Sequence, residues 1–80
     1  MSHTPHELHE EFPQQVKQMA ALRQSDAHFA KMSDAYHTLN RAIHRAEADV
    51  EPTSDENMQK MRRERMTLKD DIAAYLRENA

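Results

Sequence analysis

The chain has 80 residues, a net charge of −3, and neither glycine nor cysteine. So short a chain makes one domain at most and needs close helix packing or association to stabilise it, and without cysteine neither disulfides nor thiolate metal sites can help. Without glycine, tight hairpins and phosphate-cradling loops lose their usual residue, which argues against sheet folds and P-loops; the modest charge implies no bulk capture of nucleic acid.

Taken in chain order, the first signal is "TPHE" at residues 4–7: a Thr N-cap, Pro at the first helical position and Glu three after the cap. A helix is expected to start at Pro5. Pro13 lacks an N–H and crowds the carbonyl of His9, so that helix should end or kink near Glu11 or Phe12. A longer helix follows. Its apolar positions run Phe29, Met32, Tyr36, Leu39, Ile43, Ala46 and Val50, a sustained 3,4 alternation that rules out a disordered chain and makes one seam. "VEPTSDEN" then breaks the pattern, with Pro52 as the stop and Thr53 or Ser54 as a new cap ahead of Asp55 and Glu56. A last helix carries Met58, Met61, Arg65, Leu68, Ile72 and Tyr75, with Leu76 alongside.

A short turn between two amphipathic helices makes them antiparallel neighbours. With equal rise on both arms, facing residues have numbers summing to roughly 104. Ile43 then meets Met61, Tyr36 meets Leu68, Met32 meets Ile72 and Phe29 meets Tyr75. The expected fold class is all-α: an antiparallel helical hairpin with an N-terminal helical extension and coiled-coil-like packing. As one domain over 1–80, it has a short N-terminal helix at about 5–12, a long helix at about 13–50, a turn at 51–54 and a second helix at about 55–78. On this reading Ser25 and Asp26 interrupt the seam because the second helix runs out opposite them, leaving a solvated boundary layer. Asp26 and His28 point to different faces of a helix and make no dyad.

Upstream, Leu8, Phe12, Val16, Met19 and Leu22 continue an apolar stripe with nothing in the hairpin left to cover it. Either this arm folds beside the hairpin as a third helix or it packs on another copy of the chain. The second is the expectation, which makes the stripe a candidate interaction surface.

Polar clusters offer less. His3, His6 and His9 lie beside Glu7 and Glu10, but a short terminal helix supports no well-held metal site, and adventitious binding is the better reading. His37 and His44, a heptad apart, read as solvated side chains or a pH-sensitive interface. Asp70 and Asp71 are adjacent, diverge and lack a cleft that would raise a pKa, so no enzyme, cofactor or small-molecule substrate is expected. Arg65 sits on the seam and should face Leu39 and Asn40, snorkelling while it sets register. With Arg41, Arg45, Lys60, Arg62 and Arg63 it makes a candidate basic patch at the waist of the hairpin, set against an acidic tip at Glu47, Asp49, Glu51, Asp55 and Glu56. Such a hairpin can dock onto itself. A nucleic-acid surface is the alternative, disfavoured because the patch lacks interleaved aromatics. No apolar run spans a bilayer and the N-terminus does not resemble a signal peptide, so cytoplasmic residence is expected.

Three stretches carry a family likeness: "EFP" at 11–13, "LRQSDAHFAKMSDAYHTLNRAIHRAE" at 22–47 and "SDENMQKMRRERMTLKDDI" at 54–72. With them the chain resembles the YdcH-like family, small bacterial proteins that form a domain of unknown function. Met61 and Met66 stand where leucine is typical of the family, and Arg62 and Arg63 where lysine is common. The resemblance implies a helical hairpin with a tendency to associate and brings no catalytic or ligand residues; the partner expected from the chain itself is a second copy, as a homo-oligomer, or a helical protein.

Overall fold

Helices α1 (Leu8–Glu11), α2 (Val16–Ser25), α3 (Ala27–Glu47) and α4 (Asp55–Glu78), with a 3-10 turn at Pro13–Gln15, follow one another in a computed structural model that describes residues 4–48 and 53–80. No strand occurs among the described residues, and the fold is all-α. Helices α3 and α4 form the expected antiparallel hairpin. The rings of Phe29 and Tyr75 stack with centroids 6.1 Å apart, Arg65 Nη1 donates to Asn40 Oδ1 at 2.9 Å, and Arg62 Nη2 lies 2.8 Å from Glu47 Oε2. Partner numbers fall on α4 as they rise on α3, close to the register expected from equal rise. Val50 at the end of the seam, and Glu51 and Pro52 in the turn, lie outside the described residues. Helix α4 starts where its cap chemistry puts it: Ser54 Oγ accepts the Asn57 N–H at 3.0 Å, with Asp55 and Glu56 in the first turn facing the positive end of the dipole. Its 24 residues span roughly 36 Å and set the long dimension of a molecule of 38 × 28 × 19 Å.

The long helix expected from about residue 13 to 50 is two helices. Asp26 leaves the helical region at φ −131° and ψ 105°, and its carboxylate accepts the Phe29 N–H at 3.1 Å, which makes it the N-cap of α3. Immediately before it, Ser25 Oγ donates to the Ala21 carbonyl at 3.0 Å and helps satisfy the end of α2. Ser25 and Asp26 are therefore a helix stop and a helix start, rather than a polar layer within one rod. Asp26 also accepts a hydrogen bond from the Tyr75 hydroxyl, which ties this corner to α4.

Because the chain turns there, the N-terminal arm folds back along its own hairpin. Leu8 and Met19 join Phe29, Tyr36, Ile72 and Leu76 in one buried cluster, with Phe12 and Leu22 packed against it. Each large apolar side chain buried this way stabilises by about 1.5–3 kcal/mol. Polar tethers fix where the arm lies. Gln18 Nε2 donates to the carbonyls of Leu76 at 2.8 Å and Asn79 at 3.1 Å, covering orphan acceptors at the end of α4. Arg23 donates to Ser33 Oγ at 3.0 Å and Asp34 Oδ1 at 2.9 Å on α3.

The first helix begins at Leu8, not at Pro5. Tyr36 and Asn40, buried at 0% and 1% exposure, reach out of α3: the Tyr36 hydroxyl donates to the His6 carbonyl at 2.7 Å and Asn40 Nδ2 to the Pro5 carbonyl at 2.8 Å. Holding both carbonyls puts His6 in the left-handed region, at φ 63°, where a helix cannot run through it. Tertiary hydrogen bonds outweigh a local cap that sequence alone favours.

Candidate interaction surface

The hairpin has two flanks, and the arm covers one of them. On the covered flank, Arg62, Arg65 and Lys69 lie at intervals of three and four along α4 and share a cleft with His6, Glu11 and Tyr36. Their charges are largely answered from within the chain. Arg62 pairs with Glu47, Arg65 bonds Asn40, and Lys69 Nζ lies 3.4 Å from Glu11 Oε1, which His6 Nδ1 also approaches at 3.2 Å. Burial works to raise the Glu11 carboxyl, but the His6 hydrogen bond and the Lys69 ammonium outweigh it and hold the group below the usual carboxylate range. Burial, with the Glu11 charge added, pushes the Tyr36 phenol up to about 12.

On the opposite flank none of the described residues covers the seam. Ala35, Thr38, Leu39 and Ala42 of α3 and Glu64 and Leu68 of α4 line a shallow groove whose floor is mainly aliphatic. A second depression, lined by Lys60, Arg63, Glu64, Thr67 and Leu68, continues it along α4. Leu39 and Leu68 are only half-buried, and Ala35 lies exposed beside them.

This geometry revises the expected interaction stripe. Leu8 and Met19 are 4% and 8% exposed, Phe12 and Leu22 are half-buried, and Val16 alone of the five stays open, at 45%. The stripe fails as an outward-facing surface because the corner at Asp26 turns it onto Phe29 and Leu76. The six cations expected at the waist are divided among surfaces. Arg41 lines a groove with Leu8, Val16 and His37 beside the arm, Arg62 and Arg65 line the cleft at Glu11, and Lys60 and Arg63 face the open flank. Arg45 stands exposed on α3. Of the acidic tip, Asp49 and Glu51 lie outside the described residues.

The polar clusters resolve as follows. Among the described residues no group of three His, Asp or Glu side chains is placed to hold a metal ion, and His3 lies outside them. His37, expected to be solvated, has a buried Nδ1 that lies 2.7 Å from Glu7 Oε2. His28 lies over Tyr75 with ring centroids 5.3 Å apart. The Tyr75 hydroxyl, then the Phe29 N–H, hold the Asp26 carboxyl below its ordinary value. No described helix is long and apolar enough to cross a membrane.

Sequence reasoning missed two features. The tethers from Tyr36 and Asn40 to backbone carbonyls leave no periodic mark, although an Asn on an apolar face at position 40, opposite Arg65, was a sign of a buried polar link. The open flank was readable from Ala35 and Ala42, which widen the α3 stripe beyond its seam.

No curated protein and no solved structure matches the chain. A family described as "Protein of unknown function (DUF465)" matches over residues 29–76, the part that forms α3 and most of α4. The YdcH-like likeness falls within that family, and the chain belongs to the DUF465 family of proteins of unknown function.

Proposed function

We propose that this protein is a small interaction module without catalytic activity, and that its contact surface is the open flank of the α3/α4 hairpin. The observation that carries the reading is the asymmetry of cover: the arm closes one side of the seam and leaves Leu39, Leu68, Ala35 and Ala42 accessible on the other. An apolar groove with a charged rim fits a helical partner surface. The division of the cations among different surfaces, and the pairing of Arg62 with Glu47, weigh against a polyanion surface.

Leu39→Glu tests the proposal. It puts a charge in the groove while the buried layer beneath, Tyr36, Ile43 and Ile72, stays intact. Helicity and thermal stability should hold, and complexes formed by the wild-type chain in host extract should be lost. Complexes that survive Leu39→Glu unchanged would place the working surface elsewhere.

A further inference from the structure

We infer that the open flank is self-complementary and that its partner is a second copy of this chain, paired antiparallel about a twofold axis. The inference rests on the reading of that flank as the working surface.

Lys60 and Asp71 are both exposed on α4, and neither has an ion-pair partner among the described residues. They lie roughly 16 Å apart along the helix and about 20° apart around it, on one stripe. Lys60 sits at the rim of the open flank, with Glu64, Thr67 and Leu68 following it. One end of the stripe is thus cationic and the other anionic, and two copies related by a twofold axis across the helices would bring Lys60 of each onto Asp71 of the other.

That match fixes the axis on α4, at the level of Arg65 and Met66, where facing residues of the two copies sum to roughly 131. The hairpin register carries the same level to Thr38 and Leu39 on α3, where facing residues sum to roughly 77. At that height Ala35 falls opposite Ala42 of the other copy, and Thr38 opposite Leu39. Small residues meet where two helices must approach closely, and the leucines flank the axis. The charges on α4 and the small residues on α3 are separate observations that agree on one axis. Glu64 then faces the Thr67 hydroxyl, which can donate to it. A stable dimer buries about 800 Å² per partner, about a seventh of the chain's 5650 Å², so the groove and the charged stripe beside it from Lys60 to Asp71 would both have to be covered.

Charge exchange in the full chain tests this, with helicity checked for every variant. The wild type should sediment as a dimer at about 100 µM. Lys60→Asp alone sets carboxylates against carboxylates twice, and Asp71→Lys alone sets ammonium groups against each other twice. Each should weaken self-association by about tenfold or more. Mixing the two variants should restore dimers, because every cross-copy contact then joins opposite charges, and the double variant should also dimerise. A wild-type chain that stays monomeric, or a dimer indifferent to both changes, overturns the inference. Should the chain be monomeric while Leu39→Glu still abolishes its complexes, the interaction surface stands and only its pairing with itself is lost.

Discussion

The hairpin and the arm are held by different physics. Along the hairpin, side chains at helical spacing bury one stripe each, and Phe29, Tyr36, Ile43 and Ile72 are at most 1% exposed. The arm has two buried apolar anchors, Leu8 and Met19, with Phe12 and Leu22 half-buried beside them, and is fixed by polar links: Tyr36 on the His6 carbonyl, Asn40 on that of Pro5, Gln18 on that of Leu76, and Arg23 on Ser33 and Asp34. A periodic seam gives cooperative stability that no single link controls. A tethered arm can be released link by link.

The change with the largest expected effect is one that should erase this difference. Ile72→Ala empties a site shared by the hairpin seam and the arm's cluster, and should cost about 2–5 kcal/mol, lowering the denaturation midpoint of the whole chain in one transition. Separate transitions for arm and hairpin would show that they do not share a core.

Asn40→Ala sharpens the contrast. It strips both the Pro5 carbonyl and Arg65 of a partner at a position 1% exposed, at an expected cost of about 1–3 kcal/mol. Tyr36→Phe keeps the ring and removes only the tether to His6, for about 1 kcal/mol. In both variants amide exchange should accelerate first in residues 8–25, with α3 and α4 still protected. Uniform acceleration across all four helices would contradict a separately tethered arm. Ser54→Ala acts on the hairpin alone: loss of the cap on Asn57 should cost about 1 kcal/mol and leave protection of the arm relative to α3 unchanged.

The smallest effects are those of pH. Asp26 and Glu11 are both held below the ordinary carboxylate values, Asp26 by the Tyr75 and Phe29 hydrogen bonds and Glu11 by His6 and Lys69 against the pull of burial. Depressed folded-state values mean that their contribution is present above about pH 4, the unfolded range, and is lost as pH falls through the folded values. Asp26→Asn keeps a capping oxygen and should flatten this acid limb without displacing α3. Tyr36, raised to about 12, works in the opposite sense: its contribution is whole below the unfolded value of about 10 and declines as pH rises toward the folded one. Acid and alkaline denaturation followed by circular dichroism would check both limbs, and an acid limb unaltered by Asp26→Asn would show that the corner's carboxylate does not titrate with folding.

What could be read in advance divides along the same line as the physics. The seam from Phe29 to Ala46 and its match with Met61 to Leu76 follow from a 3,4 spacing, and Arg65 meets Asn40 as equal rise predicts. The cap at Ser54 follows from residue type. The break at Ser25 and Asp26 was visible as an interruption, yet its meaning depended on whether Asp26 stayed helical, a choice made by the Phe29 N–H and the Tyr75 hydroxyl together. The start of the first helix was misplaced for the same reason, since the atoms that hold Pro5 and His6 lie 30 or more residues away in sequence. Ala35 and Ala42 widen the α3 stripe in the sequence, but which flank stays open is settled by the side the arm takes.

The link between Gln18 and the Leu76 carbonyl joins residues 58 positions apart in sequence. On a ribosome, then, the arm emerges long before the ledge it rests on. Until Leu76 has cleared the exit tunnel, Met19 and Leu8 have no complete shelter, and any nascent helix there must wait with its oily side uncovered. Closure of the arm is thus a late event in the life of each new chain, and it signals that the hairpin beneath has been made.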